Sequence, residues 1–503
     1  MQGLQATAVT IEVNATRGVR FVLVGLPDNA VKESHERILA AIENSGFTFP
    51  TRQITINLSP ADIRKEGSGY DLPMAIGILA TEDKVNTSQL GKYMMVGELS
   101  LDGSLVPIRG ALPVAIKARE MGFEGLFVPE GNIREAAVVN KLKVYGVKHI
   151  TQVVNHLNGT ALLEPTVVDT RGEFYARQYE FDYDFADVKG QEHVKRAMEV
   201  AAAGGHNIIM IGPPGSGKSM LAKRMSSILP PLSLQESLET TQIHSVAGTL
   251  PAGCSLMAQR PYRSPHHTIS QVALVGGGTN PQPGEISLAH NGILFLDELP
   301  EFQRSVLEVL RQPLEDRVIN VSRAKYSVTF PCSFMFVASM NPCPCGYYNH
   351  PTKACCCTPG QIVRYLNKIS GPLLDRIDLQ IELSPVPFSD LSKMEPGEPS
   401  EKIRERVIRA RKIQEERFRD YALIHSNAQM TEKMLGQYCV LDSQTTEVLR
   451  EAMIRLNLSA RAYSRILKVA RTIADLEGKE NIEFAHVAEA VGYRTLDRSS
   501  WGE

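Results

Sequence analysis

The sequence predicts an α/β multidomain fold that ends in a helical domain. At 503 residues the chain has room for roughly three domains, each with its own core. Near its middle the apolar run Ile208-Ile-Met-Ile211 passes into a glycine-rich turn, Gly212 to Ser219, and then into a helical stretch through Leu221 and Met225. A fully apolar strand, a tight turn and a helix in that order belong to a parallel sheet buried on both faces. The stretch 401–494 carries helical periodicity throughout.

Residues 1–165 alternate strand and helix patterns. Val9, Ile11 and Val13 alternate with polar neighbours, as do Ile54, Ile56 and Leu58, so each run reads as a half-buried strand. Between them Asp28 has the look of an N-cap, Val31, Ile38, Leu39 and Ile42 share one helical face, and Gly46 stands just past the end. Asp71 with Pro73 opens a second helix through Ile76 and Leu79. A third runs from Ala111 to Met121 and stops at Gly122. Residues 166–185 have no clean period and read as a linker. Residues 186–390 carry the glycine-rich turn and two further apolar strands. Pro385-Val-Pro-Phe and Glu395-Pro-Gly-Glu-Pro-Ser400 mark a second linker. Helices are then expected over Glu401–Phe418, Ser443–Leu456, Ser459–Leu476 and Ile482–Val491. No internal repeat or low-complexity tract interrupts the chain.

Composition is that of an ordinary globular protein, with 43% hydrophobic and 22% charged residues. The formal net charge of −2 means that contact with nucleic acid needs a local basic surface. The first residues form no apolar signal core, and no apolar run reaches the ~18 residues of a membrane span. The chain therefore reads as cytoplasmic, with no membrane partner. The 8 cysteines are expected to be reduced rather than paired in disulfides.

The turn fits G-x-x-x-x-G-K-[ST]. Gly212, Pro213, Pro214, Gly215, Ser216 and Gly217 would wrap their backbone N–H groups around phosphates, and the glycines avoid Cβ clashes there. Lys218 would reach the β- and γ-phosphates, and the Ser219 hydroxyl would hold Mg²⁺. A second apolar strand, Ile293-Leu-Phe-Leu296, ends in Asp297-Glu298. Asp297 would complete the Mg²⁺ shell, and Glu298 would polarise a water for attack on the γ-phosphate of ATP.

Cys343, Cys345, Cys355 and Cys357 form two close pairs, with Cys356 between the last two. Four thiolates can surround a tetrahedral Zn²⁺, and free thiols in a loop are the alternative. His266-His267 are adjacent, so on a strand they face opposite ways and suit paired ligation poorly. They read better as part of a loop that touches DNA or a neighbouring subunit. Arg317, Arg323 and Lys325 flank Val318-Ile-Asn-Val-Ser322, which alternates as a hairpin does; these cations would meet phosphates or simply solvent. Arg404–Arg419 is basic, but Ile403, Val407, Ala410 and Ile413 give it a buried stripe, so its charges read as a solvated face.

Beyond the phosphate loop the middle of the chain resembles an AAA+ ATPase. Ser333-Phe-Met-Phe-Val-Ala-Ser-Met-Asn341 is a third apolar strand, and the resemblance implies that Asn341 is sensor 1, which orients the attacking water. Leu373-Leu-Asp-Arg-Ile-Asp-Leu379 places Arg376 where these proteins keep an arginine finger for the neighbouring subunit's nucleotide. Ser459-Ala-Arg461 matches sensor 2, with Arg465 as the competing residue. A closer resemblance, essentially end to end, is to the magnesium-chelatase-like AAA+ family in its ComM (YifB) branch. It rests on Arg260-Pro-Tyr-Arg-Ser-Pro-His-His-Thr-Ile-Ser270, Gly284-Glu-Ile-Ser-Leu-Ala-His-Asn-Gly292, Leu310-Arg-Gln-Pro-Leu-Glu-Asp316, Met340-Asn-Pro-Cys-Pro-Cys-Gly346 and Ile369-Ser-Gly-Pro-Leu-Leu-Asp-Arg-Ile-Asp378. The resemblance implies a homohexameric ring, pore-facing hairpins in the core, a helical lid, and a motor that migrates branched or single-stranded DNA in recombination or natural transformation. It also favours Cys355 and Cys357 over Cys356.

Residues 1–165 resemble the Lon peptidase domain. That family keeps its Ser nucleophile in the stretch matched by Glu66-Gly-Ser-Gly-Tyr-Asp-Leu-Pro73, and its Lys in the stretch matched by Val106-Pro-Ile-Arg-Gly-Ala-Leu112. Here Ser68 is out of register and Leu112 stands at the Lys position. Without an amine base a serine is a poor nucleophile, so the domain is expected to be non-catalytic and to contact DNA or partners. Two other functions stay open. One is an ATP-driven protein remodeller. The other is a chelatase-type motor subunit, although such subunits lack the Lon-like domain.

Overall fold

The computed structural model describes residues 3–494 apart from 252, 279–280, 324–325, 386–396, 422–423 and 457. Lys325 and residues 386–396 of the expected second linker therefore lie outside the described residues. The chain divides into two compact units, residues 1–176 with 234–257, and residues 177–233 with 258–503.

The first unit holds two three-stranded sheets and a two-stranded one, Glu98–Leu99 with Leu105–Val106. Thr10–Thr16 pairs antiparallel with Gln53–Ser59, which pairs parallel with Phe21–Val24. The register sets Ile11 opposite Leu58 and Val13 opposite Ile56, so the alternation seen in the sequence turns one face into the core. Helix Asp71–Ala80 lies so close to this sheet that a Cβ at Gly77 would stand 2.6 Å from Val13 Cγ2. The helix expected after Asp28 is two helices, Asn29–Lys32 and Ser34–Asn44, broken at Glu33. Asp28 caps the first, accepting from Val31 N at 2.8 Å. The second sheet is parallel, with Gly125–Pro129 between Tyr93–Met95 and Lys143–Val147. Helix Ala111–Glu120 starts after Gly110 and ends before Gly122, both at positive φ. Helix Leu234–Ala247 also packs here, although it comes after the phosphate loop in the chain. Gly110 N donates to Ser245 O at 2.9 Å, and Leu238 joins the cluster around Leu112 and Ala115. The stretch expected as a linker contains helix Thr170–Arg177, with Phe174 buried. Its single apolar anchor is too little to register as a period.

The second unit is built on a five-stranded parallel sheet in the order Tyr262–Arg263, Ile293–Leu296, Met335–Met340, Ile208–Ile211, Leu379–Glu382. Strand Ile208–Ile211 has neighbours on both sides and every residue buried, which explains its unbroken apolar run. The chain leaves it for the far edge, steps back to it, and then crosses to its other side. Its carboxyl end is thus a topological switch point, where open α/β sheets bind ligands. Hairpin Val318–Arg323/Tyr326–Pro331 lies between the third and fourth strands in chain order, Ile293–Leu296 and Met335–Met340. The C-terminal helices are Ser400–Arg417, Glu432–Tyr438, Ser443–Arg455, Ala460–Leu476 and Phe484–Gly492. They share one core with the sheet through Ile403, Val407, Ala410, Ile466, Ile473 and Val487. Glu432–Tyr438 was not legible as a separate helix. The stripe on Ser400–Arg417 also differs from expectation at one position. Ile413 is exposed, and Gln414 is buried in its place, donating to Ala203 O at 3.1 Å and accepting from Asn427 N at 2.9 Å. Helical spacing puts 403, 407, 410 and 414 on one face, and two hydrogen bonds offset the burial of an amide. No helix among the described residues is long and apolar enough to cross a membrane.

Candidate functional site

The glycine-rich turn caps the carboxyl end of Ile208–Ile211. Gly212 N donates to Met340 O at 3.1 Å, and a Cβ on Gly212 would stand 2.8 Å from Leu383 O. Gly215 and Gly217 have φ of +79° and +89°, and helix Lys218–Ile228 begins at once. Gln191 Nε2 donates to Ser216 O at 3.1 Å and braces the turn from outside. The Ser216 hydroxyl is buried with no protein partner. A glycine cradle at a helix N-terminus with an unspent donor is built for an anion, so these residues fit a phosphate chain.

The side chains around the turn form one network. Lys218 Nζ donates to Gly212 O at 2.7 Å, Pro213 O at 2.9 Å and Asn341 Oδ1 at 3.3 Å. Burial pulls its ammonium below the usual lysine range, against the fields of Asp297 and Glu298. Ser219 Oγ donates to Asp297 Oδ2 at 2.6 Å, which puts the two residues suited to Mg²⁺ side by side. Ser339 donates to the other Asp297 oxygen. Sequence reasoning passed over Ser339; its signal was a hydroxyl within a wholly buried strand that is otherwise apolar. Glu298 follows in left-handed backbone, φ +52°, with its carboxylate exposed and 3.8 Å from His267 Nδ1. His267 was read only as a loop residue, because nothing in the sequence links it to residue 298.

Arg376 and Arg461 are engaged elsewhere. Arg376 Nη2 lies 2.7 Å from Glu315 Oε1, and Arg461 Nη1 lies 3.1 Å from Asp375 Oδ2. Arg465 pairs with Asp378 at 3.0 Å, and Asp378 also faces His206 at 3.6 Å and accepts from Asn207 N at 2.9 Å. Burial opposes charge on Asp378, but Arg465 and His206 outweigh it and hold the carboxyl far below the usual range. Arg465 is thus committed to a buried pair, while the Arg461 side chain is 65% exposed. The segment carrying Arg376 is tied to helix Ala460–Leu476 at two points, four residues apart on that helix.

Just past Asn341, Cys343, Cys345, Cys355 and Cys357 bring their Sγ atoms within 4.8 Å of one another. Cys343 to Cys345 is 3.3 Å, Cys343 to Cys355 3.7 Å and Cys345 to Cys355 3.6 Å. Zinc–thiolate bonds of 2.3 Å in a tetrahedron set sulfurs about 3.8 Å apart, so the set fits Zn²⁺. Cys356 is exposed and outside it. Crowding splits the thiols. Desolvation raises Cys345, but the Tyr347 and Cys356 N–H groups and neighbouring thiols bring it to about 6. The Cys345 backbone N–H lowers Cys357, yet desolvation and its thiol neighbours push it up to about 12. This loop leans on the phosphate loop: a Cβ at Gly346, φ +83°, would stand 2.6 Å from Pro214 Cδ.

In the first unit Leu112 is fully buried. Ser68 donates to the Glu98 carboxylate. Asp71, buried at the start of its helix, pairs with Arg37 at 2.8 Å and accepts from Leu99 N at 3.3 Å.

Comparison with known proteins covers nearly the whole chain. Residues 184–391 match the family described as magnesium chelatase, subunit ChlI, residues 397–494 its C-terminal part, and residues 11–132 the family described as subunit ChlI of Mg-chelatase. The chain is 44% identical over 505 residues to competence protein ComM of Haemophilus influenzae, covering 99% of this chain and 96% of that one. It is 44% identical over 503 residues to the YifB protein of Escherichia coli, with the same coverage. A shorter likeness, 31% over 157 residues, links 28% of this chain to 27% of Lon protease 2 of Bacillus subtilis.

Proposed function

The chain belongs to the magnesium-chelatase-like family of ComM and YifB, and from that membership we propose that it is an ATP-driven ring motor that moves branched DNA in recombination or natural transformation. The observation that carries the ATPase reading is the network of Lys218, Ser219, Asp297 and Asn341 with Glu298 beside it. The DNA reading is supported by full-length likeness to a protein named for competence.

Bound ATP·Mg²⁺ supplies the phosphate chain to be cleaved and a cation to neutralise it. The backbone N–H groups of residues 212–217 and the first turn of helix Lys218–Ile228 bind its negative charge. Lys218, now held by loop carbonyls, is the cation that phosphate draws. Ser219 and Asp297 hold Mg²⁺, with Asp297 aimed by Ser339. Glu298 accepts a proton from the attacking water at its carboxylate, and Asn341 orients that water. Arg376 serves the nucleotide of the neighbouring subunit, and Arg461 is a second cation for the γ-phosphate, as sensor 2. The four cysteines hold one structural Zn²⁺. Residues 1–165 act as a non-catalytic Lon-like domain: no amine stands at position 112 to activate a serine.

The family descriptions name a chelatase subunit, which keeps a chelatase-type motor as the second reading, beside ATP-driven protein remodelling. ATP hydrolysis and strand movement on a synthetic four-way junction, compared with a linear duplex and an unfolded protein, separate them. The junction is expected to be migrated in an ATP-dependent way. Hydrolysis that responds to unfolded protein and leaves the junction in place overturns the DNA reading.

A further inference from the structure

Helix Arg311–Asp316 joins two parts of the molecule that the reaction above treats separately. At its end Arg317 takes left-handed backbone, φ +59°, and the next residue starts the hairpin Val318–Arg323/Tyr326–Pro331. The base of the hairpin is fixed to that joint, because Cys332 N donates to Arg317 O at 2.9 Å and Arg317 Nη1 to Phe334 O at 3.3 Å. One residue separates helix from hairpin, so a tilt of one is passed to the other.

The same helix grips the Arg376 segment at two points. Arg311 Nη2 donates to Ser370 Oγ at 3.0 Å, and Glu315 pairs with Arg376 at 2.7 Å. Arg376 Nη1 donates to Pro372 O at 2.6 Å, while its Nε is buried without an acceptor. The Arg376 side chain is only 13% exposed, whereas Glu315 is 51% exposed. A cation turned inward and neutralised by a carboxylate offers little to a phosphoryl group from another subunit. An ion pair with one partner half in water is also weak enough to be exchanged for phosphate.

We propose that Glu315 is a positioning residue that latches Arg376, holding it from a neighbouring subunit's nucleotide until nucleic acid binds. This rests on the reading of Arg376 as the finger for a neighbouring nucleotide. The latch lowers hydrolysis while no nucleic acid is bound. Release swings the guanidinium from Glu315 to the phosphate, so turnover is tied to binding of nucleic acid.

The test measures ATP hydrolysis by full-length wild type, Glu315→Gln, Glu315→Asp and Arg376→Ala, each with and without a synthetic four-way DNA junction, together with melting temperature. Glu315→Gln is expected to raise the DNA-free rate about fivefold or more, toward the junction-bound rate, at unchanged KM and melting temperature. Glu315→Asp, which keeps the charge, is expected to keep the low DNA-free rate. A Glu315→Gln protein whose two rates are unchanged, or fall together, overturns the latch. Arg376→Ala at the wild-type rate overturns the finger reading and the latch with it. A wild-type rate indifferent to the junction, with Glu315→Gln still faster, supports the latch and overturns nucleic acid as its trigger.

Discussion

At the residue scale Lys218 and Glu298 divide binding from chemistry. Lys218 sits within a shell of carbonyl oxygens with a lowered affinity for its proton. Charge-assisted hydrogen bonds are each worth ~1.5–3 kcal/mol, so Lys218→Ala is expected to weaken ATP binding by about 10- to 100-fold, read by nucleotide titration. Glu298→Gln keeps the shape but cannot accept a proton, so binding should persist while turnover stops; turnover near the wild-type rate removes Glu298 from the mechanism. Asp378 makes a different kind of prediction. Its folded pKa lies below the unfolded value of about 3.9, so it stabilises the fold above that value and the stability is lost as pH falls from about 5 downward. Asp378→Asn leaves Arg465 and His206 facing an uncharged amide. It should cost ~3–5 kcal/mol at pH 7 and flatten the acid limb of a melting-temperature profile.

At the element scale the cysteine loop, residues 343–357, is the least regular part of the second unit that bears on the site. It has little apolar content to order it, and its first turn, at Gly346, lies against Pro214. Bound zinc would supply that order, because metal binding by thiolates is folding free energy. Protein purified without chelator should hold about one equivalent of zinc, and less than a tenth of that would overturn the site. Gly346→Ala forces a Cβ against Pro214 from a backbone conformation that favours glycine. It should weaken nucleotide binding while the zinc content stays unchanged; wild-type affinity in that variant would show that the loop does not support the phosphate loop.

At the scale of the whole molecule the argument is about incomplete sites. Within one chain Arg376 lies on Glu315, and in the proposed reaction it serves the nucleotide of a neighbouring chain. Nucleotide bridging two chains should promote assembly. Mixing Arg376→Ala chains with Lys218→Ala chains should restore part of the ATPase activity, since each supplies what the other lacks; mixed rings that stay inactive would sink the trans role. A basic pore assembled from hairpins would also bind DNA with little sequence preference and a steep loss of affinity with salt, despite the net charge of −2.

The sequence by itself determined what local pattern can encode. Fully apolar runs announced the buried parallel strands, alternation announced Thr10–Thr16 and Gln53–Ser59, and the glycines of 212–217 announced a turn whose backbone must approach something closely. Ser219 and Asp297 were legible as partners because each ends or follows a strand of the same sheet. Tertiary structure decided whatever depends on residues far apart meeting. Gln414 rather than Ile413 is buried because Ala203 and Asn427 satisfy its amide. Helix Leu234–Ala247 belongs with the first unit because Gly110 and Leu238 find partners there. Among the thiols, spacing left Cys356 in competition, and the turn of the backbone excluded it. Glu315 and Arg376 are 61 positions apart in the chain. A half-exposed glutamate on a short helix carries no pattern of its own, and only the fold brings its carboxylate to the guanidinium.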